Sequence, residues 1–181
     1  MKKEQKNIIL GVTASIAIYK SCDLVRKLRE RGFAVTVVMT KEAQELVKPI
    51  VFQSLSANRV YTGGLFDAQD SWDIEHVSLA EKAELILIAP ATANIIAKLA
   101  AGICDDLLSC LVCASTAKVL IAPAMNANMY KNKITQGNIA KLKACGYGLI
   151  PPREGLLACG VKGVGCLAEV ETIVAAVKKL L

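Results

Sequence analysis

The stretches Asn7-Ile8-Ile9-Leu10-Gly11-Val12-Thr13 and Ala34-Val35-Thr36-Val37-Val38-Met39, with the charged segment from Ile16 to Arg31 between them, decide the fold. The first is a short apolar run around a glycine and reads as a buried strand. Ser15 follows as an N-cap candidate. From Ile16 to Arg31 the apolar residues Ile16, Ala17, Leu24, Val25 and Leu28 return at helical spacing, with charge on the opposite side. Gly32 supplies a C-cap signal. The second stretch is a β-branched strand. Strand, helix and strand in about thirty residues make a βαβ unit, which implies a parallel pair and a right-handed crossover.

Outward from that unit the alternation continues. Residues 41–46 and 49–56 read as short helices, and residues 58–73, with Gly63-Gly64, as loop. A third buried strand covers 83–89 and a fourth 118–122, ended by Pro90 and Pro123. Residues 93–101, 106–115, 135–145 and 169–181 are helical in pattern, and 147–150 is a short strand. The glycine-rich residues 151–167 read as loop. There is no internal repeat and no linker, so residues 1–181 read as a single domain. The expected fold is α/β: a three-layer, Rossmann-like (flavodoxin-like) parallel sheet with helices on both faces.

Composition excludes several classes. The chain is 54% hydrophobic but 4% aromatic, so its core is aliphatic, and a 21% charged share argues against disorder. No run of about 18 apolar residues suggests a membrane span. The basic start, Met1 to Lys6, meets an apolar run too short for a signal peptide, so the protein reads as cytoplasmic. The net charge of +6 is spread along the chain, and Arg26, Lys27, Arg29 and Arg31 are interleaved with Asp23 and Glu30. That is a solvated helix face rather than a nucleic-acid footprint. Seven cysteines, an odd number, argue against a disulfide framework, and most read as small buried hydrophobes. Cys110-Leu-Val-Cys113 has no second ligand pair nearby, so no metal is expected.

Doubly wound sheets bind ligands at the carboxyl ends of their strands. The turn Gly11-Val-Thr13-Ala14-Ser15 lacks both the three-glycine dinucleotide fingerprint and a phosphate-loop lysine. It offers hydroxyls and N–H groups to one phosphate; an ordinary capped turn is the simpler reading of the turn alone. Two later turns repeat one design, Pro90-Ala91-Thr92-Ala93-Asn94 and Pro123-Ala124-Met125-Asn126. Small residues admit a flat ligand and each carboxamide offers donor and acceptor; the bland alternative for each Asn is a helix cap or turn. Two such turns in register on neighbouring strands favour a ligand site. His76, in Asp73-Ile74-Glu75-His76-Val77, is the one histidine and a candidate base, though a lone histidine is commonly structural. Cys159, among glycines in Ala158-Cys159-Gly160-Val161-Lys162, differs from the other cysteines and is a candidate for reaching substrate; a merely exposed thiol is the alternative, and Cys166 is open to the same role.

The Pro90-Ala-Thr-Ala-Asn94 turn, the Pro123-Ala-Met-Asn126-Ala-Asn-Met129-Tyr130 run, the upstream His76 and the Ala-Cys-Gly loop together resemble the homo-oligomeric flavin-containing cysteine decarboxylases, from Ile8 to about Leu167. The resemblance implies FMN as cofactor, on Ala14, Ser15, Ile16, Thr40, Lys41, Thr92, Ala93 and Asn94, with Ala124 near the flavin. It implies His76 as catalytic base, Asn126 and Met129 as substrate-binding residues, Asn126 holding the cysteine carboxylate, and Cys159 as proton donor in the last step. The implied reaction is decarboxylation of 4'-phosphopantothenoylcysteine to 4'-phosphopantetheine in coenzyme A biosynthesis, through thioaldehyde and enethiolate intermediates. Trimers, often grouped into dodecamers, are implied too. The family's basic residue after the last flap glycine is Cys166 here, a departure that bears on the flap's grip on substrate. The end at Leu181 suggests a decarboxylase separate from its synthetase. The rival readings are a peptidyl-cysteine decarboxylase of the lantibiotic type, which needs no reducing cysteine, and a non-catalytic regulatory subunit, whose long acidic tail this sequence lacks.

Overall fold

The computed structural model describes residues 5–62, 75–158 and 160–181, with the side chains of residues 75 and 76 outside that description. Among the described residues, six strands form one parallel sheet: β1 (Asn7–Val12), β2 (Ala34–Met39), β3 (Val60–Tyr61), β4 (Leu85–Ala91), β5 (Lys118–Pro123) and β6 (Gly148–Leu149). Their spatial order is β3-β2-β1-β4-β5-β6. Direction along the sheet therefore reverses between β1 and β4, and the crevice at that reversal is where such sheets bind ligands.

Alternation along the strands divides the core into two layers. Ile8, Leu10, Val12, Val35, Val37, Leu85 and Leu87 face one side. There they pack under α1 (Tyr19–Glu30), α3 (Pro49–Ser56) and α9 (Val170–Leu180), through Leu24, Val25, Leu28, Phe52, Ile173 and Val177. Ile9, Val38, Ile86, Ile88 and Ile121 face the other side. They meet α4 (Glu75–Lys82), α5 (Ala93–Ala101), α6 (Leu107–Ala114) and α8 (Lys133–Ala144), through Leu79, Ile95, Leu99, Leu108, Leu111 and Leu142. Each such side chain taken fully from water contributes about 1.5–3 kcal/mol. Gly11 lets α6 close on the sheet: a Cβ there would sit 2.6 Å from Leu108 Cδ1.

Four details depart from the sequence reading. First, residues 151–167 contain a two-stranded antiparallel hairpin, β7 (Arg153–Leu156) with β8 (Lys162–Cys166). Their glycines mark close approach rather than a wandering chain. Gly155 and Gly163 face each other. Gly165 adopts φ +154°, and its carbonyl accepts from the Met125 N–H at 3.0 Å. Second, Val60–Tyr61 adds a parallel edge strand inside the stretch read as loop, while residues 63–73 of that stretch lie outside the described residues. Third, Pro90 and Pro123 lie within their strands, and one extra residue between Ile88 and Ala91 bulges β4 against β5. Fourth, of the described cysteines Cys110 is buried, Cys22 and Cys166 are half-buried, and Cys104, Cys113 and Cys145 are exposed. Of the described cysteines, only Cys110 joins the aliphatic core.

Candidate active site

The exits of β1, β2, β4 and β5 are tied together by hydrogen bonds. Thr13, 2% exposed, donates from Oγ1 to the Pro90 carbonyl at 2.7 Å and accepts from the Thr92 N–H at 3.1 Å. Ser21 donates to the Ala89 carbonyl at 2.8 Å. The Thr40 N–H donates to the Val12 carbonyl, and the Ala124 N–H to the Ala91 carbonyl, both at 3.0 Å. These bonds hold the turns after the four strands in one row.

Each turn then starts a helix. Ser15 caps the 3-10 turn Ile16–Ile18, accepting from the Ala17 N–H at 3.4 Å. Thr92 caps α5, its Oγ1 accepting from the Ile95 N–H at 3.4 Å. Its carbonyl takes the Ile96 N–H at 3.2 Å. The N–H groups of Ala93 and Asn94, in the first turn, have no intrahelical acceptor. Asn94 is thus inside α5, and Thr92 does the capping. Asn126 is the N-cap of α7 (Ala127–Lys131), accepting from the Asn128 N–H at 2.8 Å.

Concavities run along this row. One of about 300 Å³ is lined by Thr13, Ala14, Thr40, Thr92, Asn94 and Met129 among others. A second, of about 250 Å³, is lined by Ser15, Ile16, Ala124 and Met125, and by Arg153, Leu157 and Cys166 of the hairpin region. Thr40 and Lys41 border a third of about 510 Å³, with Lys98, Asp105 and Asp106. The structure therefore brings Ala14, Ser15, Ile16, Thr40, Lys41, Thr92, Asn94, Ala124 and Met129 to adjoining hollows, with Ala93 and Asn126 at the helix starts beside them. His76 is the second residue of α4, with its side chain outside the described residues. Cys159 also lies outside them, in the connection between β7 and β8.

The donor set suits a flat phosphorylated ring system. Ala14 and Ala124 carry only methyl groups, so a planar group can lie near the backbone. The start of α5 and the Thr40 hydroxyl offer donors to a phosphate monoester in the first hollow, which Glu42 and Asp106 also line, while Ser15 borders the second hollow and Lys41 the third.

Sequence reasoning missed three contributions. Thr13 was legible as a turn residue, but its pairing with a strand 77 residues away was not. Asp106 caps α6 in a reciprocal capping box with Ser109 and pairs with Lys98 at 2.8 Å. Burial works to raise its carboxyl, but the Lys98 and Ser109 hydrogen bonds outweigh it and hold the group below the usual carboxylate range. Arg153 lines the second hollow; a lone arginine in a glycine-rich stretch was the available signal.

The sequence matches the Flavoprotein family over residues 1–181, and the chain belongs to that family. It is 47% identical over 174 residues to the coenzyme A biosynthesis bifunctional protein of Bacillus subtilis (strain 168), an alignment covering 96% of this chain and 43% of that protein. The chain thus spans less than half the length of that relative. It is 43% identical over 178 residues to the probable phosphopantothenoylcysteine decarboxylase of Streptococcus mutans serotype c, covering 97% of this chain and 99% of that one. Among solved structures it resembles a mutant PPC decarboxylase complexed with pantothenoylaminoethenethiol, with a TM-score of 0.86 and 30% identity over 97% of this chain and 98% of the other. It also resembles the FMN binding protein AtHal3, with a TM-score of 0.83 and 30% identity over 97% and 96%.

Proposed function

We propose that this flavoprotein is a carboxy-lyase of coenzyme A biosynthesis, converting 4'-phosphopantothenoylcysteine to 4'-phosphopantetheine with FMN as cofactor. The observation that carries the reading is the row of Ser15, Thr92, Asn94, Ala124 and Asn126 at the reversal of strand order. Support comes from the Streptococcus mutans relative, named for this decarboxylation and aligned over 99% of its length.

FMN, when bound, supplies the reversible two-electron chemistry that turns the cysteine thiol carbon into a thioaldehyde, an electron sink for the departing carboxylate. Ala14, Ser15, Ile16, Thr40, Lys41, Thr92, Ala93 and Asn94 hold the cofactor, and Ala124 gives its ring room. Asn126 orients the substrate carboxylate with its amide, and Met129 covers the substrate beside it. His76 accepts the proton when the substrate is oxidised. Cys159 would supply the proton to the enethiolate carbon, and the reverse of the same two-electron chemistry would restore the saturated carbon, so that the cycle closes without net redox change.

The working form on this reading is a homotrimer, grouped into a dodecamer, in the cytoplasm. Exposed Ile16, Tyr19, Met129 and Leu156 at the rims of the hollows support a subunit contact there. No described helix is long and apolar enough to cross a membrane.

The test is to incubate the purified protein with 4'-phosphopantothenoylcysteine and weigh the product. Loss of carbon dioxide alone is the expected result, stalled by Cys159→Ser. Loss of carbon dioxide and two hydrogens from the unaltered protein would favour the peptidyl-cysteine type of chemistry. No change in mass, from protein holding FMN, would overturn the assignment.

A further inference from the structure

The hollow between Ser15 and the hairpin is lined mostly by apolar groups, among them Ile16, Tyr19, Met125 and Leu157. Among the described residues its charged lining is Lys20 and Arg153, and no acid lines it. Both cations are held by one carboxylate outside the lining. Arg153 Nε lies 2.7 Å from Glu169 Oε1, and Lys20 Nζ lies 3.7 Å from Glu169 Oε2. One anion between two cations leaves a net positive charge.

Backbone geometry fixes where the guanidinium sits. Arg153 is directly opposite Cys166 in the hairpin ladder. Opposed residues of an antiparallel pair project to the same face. The space beside them is open because residue 155 is glycine: a Cβ there would meet Arg153 Nη1 at 2.6 Å and Cys166 Sγ at 3.2 Å. Glu169 engages Nε, and Nη1 makes only a long 3.3 Å bond to the Glu154 carbonyl. The outer edge of the fork is thus weakly engaged, in a geometry suited to a phosphate's paired oxygens.

We propose that Arg153, with Lys20, is the seat of the substrate's terminal phosphate and sets the preference for a phosphorylated over an unphosphorylated pantothenoyl chain. The inference rests on the decarboxylase reading. The hollow begins at Ala124 and Met125, next to Asn126, where that reading puts the reacting carboxylate. A mostly apolar hollow lined by Ala124 and Met125, next in sequence to Asn126, and by a cation pair suits an acyl chain that carries a carboxylate and a phosphate. Glu169 is a positioning residue, acting through both cations.

FMN also carries a phosphate monoester, so the experiment separates the two sources. The FMN-loaded protein is assayed with 4'-phosphopantothenoylcysteine and with pantothenoylcysteine, and FMN affinity is measured separately by flavin fluorescence. Arg153→Ala is expected to lower kcat/KM for the phosphorylated substrate about 10- to 100-fold. It should leave the unphosphorylated substrate and FMN affinity within about twofold. Arg153→Ala with Cys166→Arg, which moves the cation one strand across on the same face, is expected to restore part of the preference. Equal loss on both substrates, with no rescue, would overturn the proposal in favour of a purely structural Arg153–Glu169 bridge. Weaker FMN binding with an unchanged substrate ratio would assign the cation to the cofactor and overturn it equally. If the unaltered protein decarboxylates neither substrate, the decarboxylase reading itself fails.

Discussion

Thr13 shows how much one buried hydroxyl organises. It donates to Pro90 and accepts from Thr92, joining the first turn to the turn after β4. Thr13→Val keeps the shape but leaves both partners unmatched in a buried place. It should cost about 1–3 kcal/mol in urea unfolding, whereas Thr13→Ser should cost less than half of that. Asp106 makes a pH-dependent contribution. Its carboxyl is held below the usual range, so its ion pair and cap stabilise the fold above about pH 4 and are lost as pH falls through its lowered value. Asp106→Asn, which keeps a capping oxygen, should therefore lose less stability than the unaltered protein between about pH 5 and pH 3 in acid titrations of thermal unfolding. Cys113 lies at the surface, yet partial desolvation by its neighbours and a hydrogen bond with Cys104 push its thiol up to about 11. At pH 8 it should alkylate with iodoacetamide about tenfold more slowly than an ordinary thiol, its scarcer thiolate partly offset by greater nucleophilicity, read by peptide mass spectrometry.

At the scale of elements, the hairpin is anchored at one residue. Gly165 turns at φ +154°, and its carbonyl takes the Met125 N–H. A Cβ at that position would lie well inside contact distance of the Met125 carbonyl oxygen. Gly165→Ala should therefore lift β8 from the turn that carries Ala124 and Asn126. On the proposed reading the expected outcome is at least a tenfold loss of decarboxylation, with FMN occupancy measured alongside, because Gly165 lines the same hollow as Ser15, Ile16 and Ala124. Retained activity would mean that the hairpin is not needed at the site.

Across the whole molecule, the close packing of α6 on the sheet depends on the missing side chain at Gly11. Gly11→Ala should cost about 1–3 kcal/mol in denaturant, because Leu108 is 1% exposed and has little room to move. The parallel direction of the six strands puts their exits on one edge, where the tethered turns and the start of α5 meet.

The α/β class, five of the six parallel strands and the turns after them were legible from the chain's local patterns. These are local properties: period-two and period-3.6 apolar patterns, proline and glycine at strand ends, and carboxamides after Ala-Pro-Ala. The strand order 3-2-1-4-5-6 is a property of pairing between distant segments, and no local pattern carries it. The same holds for Thr13 with Pro90 and Arg153 with Glu169, whose partners are brought close only by the fold. The glycines of residues 151–167 were misleading alone, because glycine serves a free loop and a tight backbone approach alike. Only Met125 packed against Gly165 and the opposed Gly155 and Gly163 decided for the hairpin, since van der Waals exclusion acts between neighbours in space rather than in sequence.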